Sequence, residues 1–437
     1  MKKVWLAYET KEICTKQLQN LIDQCAEAGG GQVRLTPGLY LTGTLYMRSN
    51  VELYLEAGTV LRGSEHCSDY SNINTCHTVL PEMPYWYDAL ITATDAENFR
   101  IVGEGIIDGV DCQNPKGEQG FRGPHAIAFD HCSNIHIDGI TIVRSACYHI
   151  MLECCDHVTV QNVKLRGGQD GFRFGDCSHV LVRACDIRTG DDCVGGSGNY
   201  DIQILDSMLN TPGGCMIMLG CVGLTVRNCF FWNTGFYPAV FQTNKRYSLS
   251  ANAFFITYDY GYSGHEDSAD WFIEDCVFEN LCGLLRIERE FYGKKCIPIK
   301  NLVMKRISAV NLMTPIYING QSDTSVVIED SSLHFVCEAA SELTYLHAEN
   351  GKSVQIRNTV ISSCAEKAVC SGNRGMITLE DARFCKSAAE MKTMYPRYIY
   401  NHITEEYFDK NVTEEFRGAI QHVPFLTAAD YQQMKQD

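Results

Sequence analysis

Short alternations of apolar and polar residues recur along most of this chain at a fixed interval. Aligning Cys132-Ser-Asn-Ile-His-Ile with Cys155-Asp-His-Val-Thr-Val, Cys177-Ser-His-Val-Leu-Val, Asn199-Tyr-Asp-Ile-Gln-Ile and Cys221-Val-Gly-Leu-Thr-Val gives steps of 23, 22, 22 and 22 residues. Within each copy the alternation has the two-residue period of a strand with one buried face. Fainter copies lie at Asn98-Phe-Arg-Ile-Val, and later at Asn301-Leu-Val-Met, Ser325-Val-Val-Ile, Ser353-Val-Gln-Ile and Gly375-Met-Ile-Thr-Leu. A unit this short cannot bury its own apolar face, whereas stacked copies bury it continuously. The pattern predicts an all-β fold, a right-handed parallel β-helix of roughly ten coils. Leucine-rich repeats share the period, but their LxxLxLxxN pattern is absent and strand-like segments recur more than once per repeat.

The departures from the period predict the rest of the architecture. From Lys11 to Glu27 apolar residues fall at Ile13, Leu18, Leu21, Ile22 and Cys25, a helical spacing stopped by Gly29-Gly30-Gly31. This predicts a helix within 9–29 that caps one open end. Gln32 to Leu35, Pro37 to Tyr40 and Asn50 to Leu55 follow as short strands broken by turn residues. Aromatic-rich stretches at 70–88 and 232–270 interrupt the repeat and are expected to wall a groove. Residues 388–437 are polar and read as a packed tail, so that 1–437 forms a single β-helix domain.

Composition narrows the function classes. Hydrophobic residues make up 45% and charged ones 21% of the 437 residues, the balance of a well-packed chain rather than a disordered one. A formal charge of −16 argues against nucleic acid as a partner. The opening Met1-Lys2-Lys3-Val4-Trp5-Leu6-Ala7-Tyr8 has no apolar run long enough for a signal segment or a membrane span. The chain is therefore expected in the cytoplasm, away from membranes, unless processing has removed a leader. Its 22 cysteines are then expected as reduced thiols, several of them packed at repeat positions. Cys154-Cys155 invites a metal, but no CxxC and no nearby histidine completes a ligand set, so neither metal nor other cofactor is expected. Oligomeric state is not legible.

The chemistry concentrates between Gly167 and Gly220. Asp170 and Asp191 are 21 residues apart, close to the repeat length, so they fall on neighbouring coils with Asp192 beside them. Adjacent strands of a ladder lie ~4.8 Å apart, which clusters the three carboxylates. A lone aspartate in a repeat loop is commonly a turn residue. Three together disfavour joint ionisation, so one is pushed to hold a proton while its neighbours stay anionic. That is the acid and base pairing that glycosidic bond hydrolysis requires.

At these residues the chain resembles the polygalacturonases of glycoside hydrolase family 28. The resemblance extends through Ala28-Gly-Gly-Gly-Gln-Val, Gly38-Leu-Tyr-Leu-Thr-Gly-Thr-Leu, Ala89-Leu-Ile-Thr-Ala and Gly103-Glu-Gly-Ile-Ile-Asp-Gly. In that family an Asn-Thr-Asp element, an Asp-Asp pair, a Gly-His-Gly element and an Arg-Ile-Lys element converge on the groove. Gln169-Asp170 resembles the first and Asp191-Asp192 the second, with the family's spacing. The resemblance implies that Asp191 is the general acid, that Asp170 with Asp192 activates water, and that the anomeric centre inverts. Gly168 replaces the asparagine, Gly214-Cys215-Met216 is set against Gly-His-Gly, and Arg286-Ile287-Glu288 against Arg-Ile-Lys. Substrate contacts are then expected from Gln169, Cys215, Arg286 and Glu288, with Lys245 and Arg246 as a second source of positive charge.

Three functional readings follow. The first is a glycoside hydrolase acting, from chain ends, on a pectin-derived or related oligosaccharide less anionic than galacturonan. The second is a carbohydrate-binding β-helix without catalysis, suggested by the missing histidine and lysine. The third is a lyase or transferase, which the acidic rather than basic cluster disfavours.

Overall fold

The computed structural model describes residues 3–7, 12–72, 88–233, 237, 239–241, 244–246, 252–256, 267–291, 293–336 and 342–386. Three long parallel sheets run the length of the molecule and are visited in turn by the chain. The first sheet has fourteen strands, from Val4–Ala7 to Ile377–Glu380. The second has thirteen, from Gly38–Thr42 to Arg383–Lys386. The third runs through twelve, from Leu45–Tyr46 to Lys367–Gly372, with one antiparallel strand, Ser71–Asn72, on Asp88–Thr94. The parallel β-helix is thus as the repeat predicts, but longer than the roughly ten coils expected. The extra strands of the first sheet are Val4–Ala7, Gly31–Leu35 and Val51–Leu55 at the start of the chain and Ala269–Glu274 after the second aromatic stretch.

The register is that of the sequence alignment. Ser133 pairs with Asp156, Asp156 with Ser178, Ser178 with Tyr200 and Tyr200 with Val222. The column Ile135, Val158, Val180, Ile202 and Leu224 points inward and is buried, as is the column Ile137, Val160, Val182, Ile204 and Val226. Each coil covers the apolar face of the next, and one continuous core results.

Cysteines close the corners. The thiols of Cys155 and Cys177 donate to the carbonyls of Glu153 and Gly175 at 3.3 Å, and those of Cys185, Cys229 and Cys276 to Arg183, Arg227 and Glu274 at 3.1–3.3 Å. At matching corners Ser207 and Ser331 donate hydroxyls to Leu205 and Glu329. A cysteine here is a small apolar residue with a weak donor for a turn carbonyl. Every described cysteine is free.

The predicted helix is present as Thr15–Glu27 and buries Leu18, Ile22 and Cys25 against the first coils. It starts later than expected, and Ile13 lies outside it, exposed. Gly30, at φ +96°, ends it where a β-carbon would meet the Asn50 carbonyl oxygen at 2.4 Å. Val4–Ala7, which the sequence reading left without structure, is the edge strand of the first sheet. Much of the two expected insertions, 73–87 and parts of 234–266, lies outside the described residues, as does the whole of 388–437. Among the described residues no helix is long and apolar enough to cross a membrane.

Candidate active site

The acids occupy two successive turns between the second and third sheets, and a third turn without an acid stacks on them. Gly168 to Gly171 joins Lys164–Gly167 to Phe172–Gly175, Gly190 to Cys193 joins Asp186–Thr189 to Val194–Ser197, and Thr211 to Cys215 joins Met208–Asn210 to Met216–Leu219. Backbone bonds lock the turns together: the amides of Gly190 and Asp191 both donate to the Gln169 carbonyl at 3.1 Å, and Gly171 donates to that of Asp192 at 2.9 Å. The Asp191 carbonyl accepts from the hydroxyls of Thr189, at 2.7 Å, and of Thr211. One carboxylate oxygen each from Asp170, Asp191 and Asp192 lies within 4.8 Å of the others. The expected cluster is therefore formed.

Two glycines make room for it. A β-carbon on Gly213 would come within 2.9 Å of Asp191 Oδ1, and one on Gly214 within 2.9 Å of Asp192 Oδ1. The Gly214 amide donates to that same Asp192 oxygen at 3.0 Å. These are the residues stacked on the acid pair one coil on. Cys215, expected in the groove, is instead fully buried in the apolar core. Its side chain follows the inward alternation that continues into the third sheet, so it cannot reach a sugar. A histidine able to touch the acids would have to project from Gly213 or Gly214. Gly168 has an equally local cause: at φ +64° its β-carbon would lie 2.4 Å from the Ser145 carbonyl oxygen.

A cation missed by sequence reasoning sits among the acids. Arg122 is 3% exposed, donates through Nη1 to Asp170 and through Nη2 to Asp191 Oδ2 at 2.5 Å, and lies 3.3 Å from Glu118 Oε2. Both residues come from the 109–124 excursion between Ile106–Asp108 and His125–Asp130. Beneath the cluster, buried His149 donates from Nδ1 to the Asp170 carbonyl at 2.7 Å. Burial depresses its pKa to about 4, so the ring is neutral and its one proton holds the turn. The Gln169 side chain is buried beside Asp170, and its carboxamide oxygen has no hydrogen-bond partner among the described residues.

Loss of hydration raises the Asp170 pKa to about 7, with the charges of Asp191 and Glu118 adding to the rise and Arg122 opposing it. Asp192 is lifted well above the usual carboxylate range, by lost hydration and then by Asp191 and Asp170, against the pull of the Gly214 amide and Arg122. Glu118 is raised by the same burial. Burial thus favours protonated carboxyls in the cluster.

The groove floor is the outer face of the third sheet. Registered pairing runs Met151, Arg173, Gly195 and Ile217 in one outward row. Because Met216 pairs with Phe254, the row continues through Phe255, Arg286 and Tyr317. Arg173 pairs with buried Glu153 at 3.1 Å, whose carboxylate covers Gly175. Among the described residues the atom nearest a β-carbon on Gly195 would be the Ile217 carbonyl oxygen at 3.8 Å, so the glycine relieves no clash there. Arg286 stands on the same floor, ~14 Å or three coils from Gly195. Its guanidinium is ringed by Phe255, Phe291 and Tyr317 at 5.6–5.9 Å and bonded to Glu288 Oε1 through Nε at 2.8 Å and Nη2 at 2.7 Å. Glu288 is therefore spent on Arg286. Of Lys245 and Arg246 only the backbone strand Asn244–Arg246 is described, and their side chains lie outside the described residues.

The expectation that no histidine lies near Cys154 is corrected by the register. His131 and Asp130, from the preceding coil, bring ligand atoms within 4.8 Å of its thiol and of each other.

The structure is a parallel β-helix with three acids on two consecutive turns at one edge of its third sheet. Residues 67–230 match the model of glycosyl hydrolases family 28. The matched stretch contains both acid-bearing turns and Arg122, but not Arg286. A probable polygalacturonase of Arabidopsis thaliana is 31% identical over 165 residues, 34% of this chain and 35% of that protein. The chain thus spans about a third of the length of that relative. A family 28 exopolygalacturonase of Yersinia enterocolitica shares the fold at a TM-score of 0.61 and 16% identity, over 86% of this chain and 76% of that one. A surface adhesin of Streptococcus pneumoniae shares it at 0.55 and 12% identity, over 91% and 97%. The two structural likenesses are of fold alone.

Proposed function

We propose that the protein is a glycoside hydrolase that cleaves a glycosidic bond of a pectin-derived or related oligosaccharide. The observation that carries this reading is the convergence of Asp170, Asp191 and Asp192, from consecutive coils, within 4.8 Å at one edge of the third sheet. The match of residues 67–230 to glycosyl hydrolases family 28 supports it. Asp191, the carboxylate of the Arg122 pair, gives the leaving oxygen its proton. Asp170 and Asp192 hold the water.

A sugar oxygen entering between Asp191 and Arg122 separates that carboxylate from its cation, and Asp191 takes the proton it passes on from the carboxyls beside it, which are left ionised to activate the water. The acids lie closer than the ~6.5–9.5 Å that inverting pairs usually keep. The water is then seated by Asp170 and Asp192 jointly on one side of the sugar, and the product inverts. Attack proceeds from a chain end, as the two aromatic insertions read in the sequence suggest. The reduced corner thiols suit a reducing compartment such as the cytoplasm.

The test is incubation with pectin-derived oligosaccharides, with product anomers followed by proton NMR. Release of terminal sugars with inverted configuration is expected. Retention, or release of internal fragments only, sinks the corresponding part. A second reading, a carbohydrate binder without turnover, is favoured by the Arg122 pairs to both Asp170 and Asp191, which bar the acids from substrate while they persist. Saturable binding in calorimetry with no product would establish it.

A further inference from the structure

Along the corner that leads from the third sheet into the first, successive coils place a residue of left-handed backbone conformation at the second position of the strand. Asn134, His157, His179 and Asp201 fill it at φ between 51° and 53°, and Gly223 at 76°. Short side chains and glycine suit that conformation, since they bond nearby backbone or carry no β-carbon. The corner is closed equally well on neighbouring coils without an imidazole, so the turn does not explain two consecutive histidines.

What the histidines share is one carboxylate. His157 Nδ1 lies 2.5 Å from Asp156 Oδ2 and His179 Nδ1 2.7 Å from Asp156 Oδ1. The rings stack at 4.7 Å with 29° between their planes, and Tyr200 stands edge-on to His179 at 5.9 Å. Ser178 Oγ donates to Asp156 Oδ1 at 2.7 Å and orients it. One ligand atom from each of the three residues lies within 4.8 Å of the others. Their side chains are 43–61% exposed, so water and ions reach them freely.

We propose that Asp156, His157 and His179 form a binding site for a divalent transition metal of the imidazole-preferring class, Zn²⁺, Ni²⁺ or Cu²⁺. The ion replaces the protons now shared between the two Nδ1 atoms and the carboxylate. Tetrahedral ligand bonds of ~2.0–2.2 Å set ligand atoms ~3.3–3.6 Å apart, so the present spacings of 2.5 and 2.7 Å have to open by roughly 1 Å, which exposed side chains allow. Three protein ligands leave the remaining positions to water. Ca²⁺ and Mg²⁺ take oxygen ligands and are poorly served by two imidazoles. The serine acts as the outer partner that fixes a ligating carboxylate. The site lies at the opposite edge of the third sheet from Asp170, Asp191 and Asp192, so its occupancy is separable from hydrolysis.

The test titrates Zn²⁺ into the full chain, freed of metal by a chelator, using calorimetry. The wild type is expected to take up one equivalent at this site, His157→Asn and His179→Asn each to weaken it ~10-fold or more, and the double variant to lose it. Asparagine is chosen because Asn134 adopts the same backbone one coil earlier, and thermal melting checks the fold. A Co²⁺ spectrum separates this set from the neighbouring Asp130, His131 and Cys154. Weak ligand-field bands alone are expected, whereas a strong thiolate charge-transfer band removed by Cys154→Ser would assign the ion there and overturn the proposal. No uptake by the wild type, or undiminished uptake by the double variant, overturns it equally.

Discussion

Arg122 bonds Asp191 at 2.5 Å although the two are 69 residues apart in the chain. The loop that carries the arginine leaves the solenoid after Asp108 and folds back over turns two and three coils further on. A single cation thereby sits on Asp191, whose side chain is 20% exposed, and on Asp170, the buried acid of the cluster. Under the proposed function, turnover depends on how the substrate competes with that cation.

Replacing Arg122 by glutamine removes the charge that holds the Asp170 pKa down. An opposite charge in contact shifts a carboxyl by ~1–3 units, so Asp170 should titrate about a unit or more higher in the variant. If Asp170 must be ionised to activate water, the acidic limb of the pH–rate profile moves to higher pH, and Arg122→Lys restores it in part. Carboxyl carbon NMR reads the same shift without turnover. An unmoved Asp170 titration would show that the contact is not electrostatically important.

Asp191→Asn should lower turnover at least ~100-fold, the lower range for loss of a proton donor, while melting within a few degrees of the wild type. The side chain is 20% exposed and its backbone carbonyl, held by Thr189 and Thr211, is unchanged by the substitution. Wild-type rates on a natural oligosaccharide would remove Asp191 from the mechanism.

The fold was legible because the repeat itself sets the register. A step of 22 or 23 residues brings Ser133, Asp156, Ser178, Tyr200 and Val222 into one row, as the pairing shows. The same arithmetic carries Asp191 and Asp192 onto Gly213 and Gly214, and applying it strictly would have excluded Cys215. Arg122 and Glu118 were not legible, since a side chain arriving from outside the repeat obeys no period. The only signal was that Pro115, Gly117, Gly120, Gly123 and Pro124 interrupt the repeat between Asp108 and His125. His149 was hidden for another reason: its contact is to a backbone carbonyl, which leaves no mark in residue type.

The buried carboxyls of Asp170 and Asp88 should take stability away as the pH rises from about 4 to about 7, against the His149 ring, whose pKa of about 4 adds stability over the lower part of that window. Asp170 and Asp88 are both raised to about 7, chiefly by burial, whereas an unfolded aspartate titrates near ~4. Across that window these two carboxyls hold protons in the folded protein that the unfolded chain has released, so their contribution makes unfolding easier at higher pH. Asp88 lies in the third sheet away from the acid turns, with burial the sole cause of its shift. Asp88→Asn should therefore raise the melting temperature at pH 8 and change it little at pH 4. Equal melting of the two proteins at pH 8 would contradict the burial of a charged carboxylate there.

Glu288→Gln should shift preference toward uronate-bearing substrates. Arg286 is the described cation on the groove floor whose guanidinium is 45% exposed among Phe255, Phe291 and Tyr317, a setting that places a sugar face against rings and charge together. In the wild type that charge is already met by Glu288 through two bonds. A uronate carboxylate would have to displace an intramolecular partner of the same kind, so it gains little from a charge-assisted bond that is otherwise about twice a neutral one. The overall charge of −16 adds no long-range attraction. With glutamine at 288 the guanidinium keeps a neutral acceptor and is released to pair with the ligand. Binding of galacturonate oligosaccharides should tighten several-fold relative to matched neutral ones, while Arg286→Gln in the same background cancels the gain. If the wild type already prefers the galacturonate series strongly and Glu288→Gln leaves the ratio unchanged, the pair does not set specificity and the carboxylate is read elsewhere on the floor, where Arg173 would be the next side chain to replace.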